Sequence, residues 1–297
     1  MNNSKNEVNK SVINWFPGHM AKAKRELKEN LKLVDVIIEI VDARIPRSSR
    51  NPDFDDIIGE KMRVIVLNKS DLADEKSNSR WVNYFKSQGN ECVLINSLKG
   101  EGISSVLKVV NKIMEDKLKQ SAEKGRVGRT IKAAVVGIPN SGKSSFINKL
   151  AGRNIAEVGN KPGVTRAKQW IKTQNNIELM DTPGILWPKL EQEEVALHLA
   201  YTGAIKYEIL DTTDLLLKFI EEIVEKYPQS ICERYKIEIE AKTPLEIYEE
   251  IARKRGFIVS RGEIDYERTA NVVFDEFRKG LLNRISLEEP EKTSEIM

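Results

Sequence analysis

The stretch GIPNSGKSS (137–145) has the residue types and spacing of a loop built to hold phosphate. It fits G-x-x-x-x-G-K-[ST], follows the apolar run IKAAVVG and opens the helical pattern KSSFINKLAG, which is the strand-loop-helix context that phosphate binding needs. Backbone N–H groups of Asn140, Ser141, Gly142, Lys143, Ser144 and Ser145 can wrap phosphate oxygens at a helix N-terminus. Lys143 would neutralise the β and γ phosphates, and the Ser144 hydroxyl would ligate Mg²⁺.

Two further segments complete a phosphate-sensing set. DTPG (181–184) follows an apolar strand, so Asp181 can reach Mg²⁺ through water while the Gly184 N–H meets a γ-phosphate oxygen and senses its loss. Between them KPGVTRAK (161–168) offers the Thr165 hydroxyl to Mg²⁺, in the manner of a first switch loop; an ordinary Pro-Gly loop is the alternative reading. Base choice is written in NKSD (68–71). The Asp71 carboxylate can accept from guanine N1–H and its 2-amino group together, Asn68 can bond the purine and the adjoining loop, and the Lys69 stem can cover the ring, with Ser70 completing the turn. Adenine would leave Asp71 unpaired, at a cost of roughly 2 to 5 kcal/mol. NSLKG (96–100) follows the next strand and could bring Asn96, Ser97 and the N–H near Leu98 to the base.

The motifs run base, base, phosphate, switch, magnesium-switch. Starting instead at Ile131 gives phosphate, switch, magnesium-switch, base, base, the usual order in guanine-nucleotide proteins. A circular permutation is physically reasonable, since domain termini often lie close together and QSAEKGRVGR (120–129) could join the former ends. One mechanical consequence is that the switch at Asp181 feeds straight into whatever follows it.

The elements that must position these residues are legible as well. Apolar runs VDVIIEIVDAR, MRVIVLNKSD and ECVLINS alternate with helical patterns, predicting a parallel sheet with helices on its faces; QWIKTQ and NIELMD add a strand pair. A helix is expected over 103–119. From about residue 191 the pattern is purely helical: TPLE (243–246) is a capping box with proline at the first helical position, and Ala270, Val273, Phe274, Phe277 and Leu281 share one face of a last helix. The expected class is α/β, a circularly permuted P-loop GTPase domain with a mainly parallel sheet, followed by a smaller all-α C-terminal domain. The expected boundaries are a disordered leader over 1–14, the GTPase domain over 15–190, a helical domain over 191–285 and a disordered acidic tail over 286–297.

In 297 residues, 48 basic and 45 acidic side chains leave a formal charge of +3, so attraction to nucleic acid must come from local patches. Cys92 and Cys232 show no ligand spacing and read as reduced thiols of a cytoplasmic protein. No apolar run reaches the length of a membrane span, and no membrane partner, signal peptide or anchor is expected.

WFPGHM (15–20), NKSD, GIPNSGKS, KPGVTR and DTPGI, in this permuted order, resemble the ribosome biogenesis GTPase A group (YlqF-type) over roughly residues 12–285. The resemblance implies a cytoplasmic GTPase that assists late maturation of the large ribosomal subunit; the free protein is expected to be monomeric. It also implies binding of the large ribosomal subunit precursor and its ribosomal RNA partly through the helical domain, and stimulation by the particle. Leu98 departs from the alanine common in the second base motif. Many GTPases place a water-orienting glutamine where this chain has Ile185, so another polar group must act or hydrolysis stays slow until a partner supplies one; the resemblance marks His19, in the Pro-Gly-His turn, as catalytic. In potassium-stimulated GTPases an asparagine at the place of Asn140 ligates K⁺, so K⁺ stimulation is expected. Lys22, Arg25, Lys28 and Lys32, with Lys242, Arg253, Lys254, Arg255 and Arg261, could meet RNA phosphates. The rival reading is a GTP-gated RNA-binding placeholder in which hydrolysis matters little.

Overall fold

In the computed structural model of the chain, the described residues are 18–125, 128–152, 169–173, 176–187, 192–205 and 211–291, the side chains of 18–24 and 169 excepted. Among the described residues, six strands form one sheet in the order β3-β2-β1-β4-β6-β5: β1 Val36–Asp42, β2 Met62–Asn68, β3 Glu91–Leu94, β4 Ile131–Val136, β5 Gln169–Lys172 and β6 Ile177–Asp181. All neighbours pair parallel except β5, which runs antiparallel to β6. The class expected from the motifs is therefore the one found.

Strand periodicity assigns the two faces. On one, Val36, Ile38 and Ile40 of β1 join Val64, Val66, Ala133 and Val135, covered by Val106 and Val110 of α4 (Ile103–Ile113) and by Phe146 and Ile147 of α6 (Lys143–Ala151). On the other, Ile37, Ala134, Val136 and Met180 meet Leu27 and Leu31 of α1 (Gly18–Leu31) and Phe54 of α2 (Asp53–Ile58). Further along that face Val41, Ile65 and Leu67 meet Trp81 and Phe85 of α3 (Glu75–Ser87). The helix expected over 103–119 breaks at Met114, and its second half, α5 (Glu115–Glu123), runs into the proposed joining segment.

Among the described residues five α-helices follow: α7 Glu193–Tyr201, α8 Thr212–Lys226, α9 Pro228–Tyr235, α10 Pro244–Arg255 and α11 Tyr266–Arg278. Thr243 and Glu246 form the reciprocal capping box and Pro244 stands at the first helical position of α10. Their shared core, with Leu216, Phe219, Tyr248 and Phe274 at its centre, also takes in Ile45, Ile138 and Leu186, which lie beside the ends of β1, β4 and β6. Leu281 does not join the buried face of α11: the helix stops at Arg278, Gly280 turns the chain with φ of 73°, and Leu281 is 45% exposed.

The expectation of a disordered tail from 286 is corrected for the residues described there. Leu287 and Glu288 are buried, and the Glu288 carboxylate accepts from the Arg47 N–H at 2.6 Å, from Ser48 N–H and from Ser48 Oγ. It also meets His198 Nδ1 at 2.9 Å, while His198 Nε2 meets Glu222 at 3.1 Å. An acidic, proline-containing stretch reads as solvated because its partners, at residues 47, 48 and 198, are far away in sequence.

Burial pulls the His198 imidazole down, but the hydrogen bonds and charges of Glu222 and Glu288 outweigh it and raise it to about 9. A folded value above the ordinary 6.5 gives stability that is complete below pH 6.5 and lost as pH rises through about 9. Wild type should therefore lose about 3 kcal/mol of unfolding free energy over that window that His198→Gln does not lose, read from denaturant titrations at each pH. Parallel pH profiles for the two proteins would contradict the doubly hydrogen-bonded imidazolium.

Candidate active site

The parallel register brings four loops to one edge. Asp42 of β1 stands beside Asn68 of β2, and Val135 of β4 beside Asp181 of β6, so the carboxyl ends of these strands open on a common crevice. Into it project the phosphate loop, NKSD, NSLKG and DTPG.

Asn68 knits three of them. Its amide Nδ2 donates to the Ser141 carbonyl at 2.8 Å, and its Oδ1 accepts from the Ser97 N–H at 3.0 Å. Gly142 caps α6 with φ of 98°, and any Cβ there would collide with Asn68 Nδ2, so glycine is what lets the base motif approach the phosphate loop. Lys69, itself at φ 59°, donates to Asp42 Oδ2 at 2.8 Å and to the Asn140 carbonyl at 2.7 Å. Ser70 Oγ donates to the Ile95 carbonyl at 2.9 Å. Asp71 is half-buried and, among the described residues, its carboxylate makes no hydrogen bond or ion pair. The residue assigned to the base edge is thus the one in NKSD that the fold leaves unengaged.

Sequence reasoning missed Asp42 and Arg44. Asp42 is buried, and its carboxylate accepts from Arg44 Nε at 2.9 Å, Arg44 Nη2 at 2.8 Å and Lys69 Nζ. Burial alone would raise its pKa, yet the charges and hydrogen bonds of Arg44 and Lys69 prevail and hold it far below the usual carboxylate range. The available signal was the pair of opposite charges in VDAR at the end of a fully buried strand.

The second base loop is shaped by one of its own side chains. Asn96 is buried and turns its Oδ1 to the N–H groups of Leu98 at 3.1 Å and Lys99 at 3.0 Å. Its side chain shapes the loop, and the Leu98 N–H expected at the base already has an acceptor. Leu98 projects its side chain outward, 79% exposed, and Ser97 is buried between Asn68 and Gly142.

Around the phosphate loop, Lys143 is buried and donates to the Ile138 carbonyl at 2.8 Å. Desolvation lowers its pKa to about 8, against the opposing pull of Asp181 and with a smaller push from Lys69. An ammonium so poorly solvated gains from an arriving phosphate what water no longer supplies. Gly184 packs directly on this loop: a Cβ there would stand 2.7 Å from Pro139 N and 3.0 Å from Lys143 Nζ. Ser144 and Ser145 are half-buried in the first turn of α6, and Asp181 is buried at the end of β6. A hydroxyl and a carboxylate are the few hard oxygen donors that suit Mg²⁺, which keeps most of its shell as water and phosphate. Ile185, at the place of the usual glutamine, is buried against α1 and α2, and its carbonyl accepts from Asn51 at 3.0 Å.

Asn140 has φ of 58°, and its Nδ2 donates to the carbonyl of Gly203, just beyond α7. The phosphate loop is thereby bonded to the helical region. Thr165 lies outside the described residues. His19 falls in the first turn of α1, but its side chain also lies outside them. The expected basic surfaces are thinner than the sequence suggested: Lys32 pairs with Glu29, Lys242 with Glu250, Arg253 with Glu249 and Arg255 with Glu276. Arg25, Lys28, Lys254 and Arg261 are exposed and form no ion pair among the described residues, while the side chain of Lys22 lies outside them.

The family described as 50S ribosome-binding GTPase matches residues 132–254, a stretch that holds the phosphate loop and DTPG and begins after NKSD. The chain is 46% identical over 284 residues to ribosome biogenesis GTPase A of Bacillus cereus, with 96% of each chain covered. It is similar to a solved GDP-bound structure of TM YlqF at 30% identity and TM-score 0.68, covering 90% of this chain and 100% of that one. For GNP-bound YlqF of Thermotoga maritima the identity is 31% and the TM-score 0.65, covering 91% and 99%.

Replacing Asp71 with asparagine should move preference from guanosine diphosphate toward xanthosine diphosphate, whose 2-oxo group accepts where guanine donates. Competitive nucleotide binding reads this directly, and an unchanged preference for GDP would overturn the role of Asp71.

Proposed function

Since the chain belongs to the ribosome biogenesis GTPase A family and is a GTPase, we propose that it acts in the cytoplasm in late maturation of the large ribosomal subunit, with hydrolysis stimulated by the assembling particle. The observation that carries this reading is the bond from Asn140 of the phosphate loop to Gly203, which ties the nucleotide crevice to the helices beyond it. The γ-phosphate sensor at Gly184, packed on the same loop and preceding α7 in the chain, supports the same coupling.

In this reading Asp71 selects guanine, Asn68, Lys69, Ser70, Asn96 and Ser97 shape its pocket, and residues 140–145 cradle the phosphates. Ser144 and Asp181, with Thr165, would hold Mg²⁺, which supplies neutralisation of the charge on the β and γ phosphates. Asn140 would present an amide oxygen to K⁺, and a requirement for K⁺ over Na⁺ follows. With Ile185 committed to the core, the attacking water needs another orienting group, and His19 at the start of α1 takes that role. Arg25, Lys28, Lys254 and Arg261 are the exposed cations best suited to ribosomal RNA phosphates.

The burial of Ile185 also favours a second reading, in which GTP binding gates RNA attachment and turnover is incidental. Single-turnover hydrolysis with and without large-subunit particles separates the two. Particles should raise the rate of wild type, and His19→Ala should lose on the order of a hundredfold of the stimulated rate while binding GDP normally. No stimulation of wild type would favour the gate, and full stimulation of His19→Ala would remove the histidine from catalysis.

A further inference from the structure

The segment after α11 grips the base-recognition loop. Arg284 donates through Nε to the Ala73 carbonyl at 2.8 Å and through Nη2 to the Ser70 carbonyl at 3.0 Å. Ile285 N–H donates to the Leu72 carbonyl at 2.9 Å, and Ser286 Oγ accepts from the Asp74 N–H at 3.1 Å. The Leu72 side chain lies on Gly280, where a Cβ would come 2.5 Å from its Cδ2. Residues 70, 72, 73 and 74 are thus each bonded to residues 284–286. Asp71 is the residue they bracket, and it alone is left to face outward from the grip.

We infer that Arg284 is a positioning residue for guanine recognition, fixing the carbonyls on either side of Asp71 so that its carboxylate is held at the angle the base edge requires. The inference rests on the reading of Asp71 as the guanine selector. A guanidinium suits the task because its planar fork can donate in two directions at once with little loss of freedom. Recognition by two parallel hydrogen bonds tolerates displacements of only about 0.5 Å, and a loop tip carried on a single turn is not rigid to that degree without outside support. From the opposite side the loop is moored to the sheet by Ser70, whose Oγ and N–H both donate to the Ile95 carbonyl, and by Lys69 on Asp42. The C-terminal segment supplies the second mooring.

That segment is itself anchored independently of the loop. Leu287 N–H donates to the Arg44 carbonyl at 2.9 Å, Lys226 donates to the Leu287 carbonyl at 2.7 Å, Trp81 Nε1 donates to the Glu288 carbonyl at 3.1 Å, and the Glu288 carboxylate meets His198. Arg284→Ala therefore removes the guanidinium's share of the grip, its bonds to the Ser70 and Ala73 carbonyls, while leaving these attachments, the bonds of Ile285 and Ser286 to the loop and that of Asn78 to the Ser70 carbonyl in place.

The test compares GDP with inosine diphosphate, which lacks the 2-amino group, by equilibrium binding to the full chain. Arg284→Ala should narrow the GDP preference at least about fivefold while the preference for GDP over GMP, which reads the phosphate loop, stays unchanged. A purely structural arginine would weaken all three nucleotides alike. Arg284→Lys, able to reach one carbonyl, should fall between wild type and alanine, and it is read in the same way if the alanine variant fails to fold. In Asp71→Asn the GDP preference over inosine diphosphate should already be lost, and adding Arg284→Ala should change it no further. A wild-type ratio in the Arg284 variants, with the ratio lost in Asp71→Asn, overturns the positioning role alone. A wild-type ratio in Asp71→Asn overturns the reading of Asp71 and the inference with it.

Discussion

A buried carboxamide bonded on both sides holds the nucleotide crevice together. Asn68 ends β2, reaches across to the phosphate loop at Ser141 and back to the second base loop at Ser97, and fits only because Gly142 has no side chain. In a doubly wound sheet the strands deliver their loops to one edge, but nothing in that geometry sets the loops at a fixed distance from each other. Asn68 sets it, and Lys69 repeats the tie one residue later through Asp42 and the Asn140 carbonyl. Base and phosphates of one nucleotide can then be met at once, which is what converts four separate motifs into a site.

The same crevice is fastened to the helices that follow. Asn140 bonds Gly203, Gly184 rests on Pro139, and Ile45, Ile138 and Leu186 are buried in the helical core rather than in the sheet. On the far side the chain returns after α11 to pack its last described residues between NKSD, the loop after β1 and His198. Charge buried in this region is compensated group by group, His198 by two glutamates and Glu276 by Arg234, Arg255 and the Tyr235 hydroxyl. The permuted order of the motifs and this packing have one effect in common: both bring the DTPG and NKSD loops up against the helical region.

Local signals carried the sheet, the phosphate loop and the caps, because strand alternation, the G-x-x-x-x-G-K-S spacing and the Thr243 capping box are each complete within a few residues. Part of what eluded the sequence depends on pairs far apart, and part on local partners whose orientation no pattern shows. Glu288 reads as part of a solvated tail until Ser48 and His198 are seen around it. Lys242, Arg253 and Arg255 read as an RNA-facing surface until their glutamates are seen, two of them on the same helix and one on α11. Asp42 and Arg44 carried a visible sign, opposite charges at the end of a buried strand, but the second cation on Asp42, Lys69, lies in the loop just past β2. Asn96 had the right type for a base contact and serves the loop instead, a use that only the positions of the Leu98 and Lys99 N–H groups disclose.

Joint behaviour of the base loop and the C-terminal segment is the central claim, and residue-resolved amide hydrogen exchange measures it most directly. The N–H of Ile285 bonds the Leu72 carbonyl and that of Leu287 bonds the Arg44 carbonyl, so both report on the segment without touching nucleotide. If loop and segment open together, GDP should slow exchange at Ile285 and Leu287 by the same factor as at Leu72. Protection at Leu72 with unchanged exchange at Ile285 and Leu287 would contradict the account.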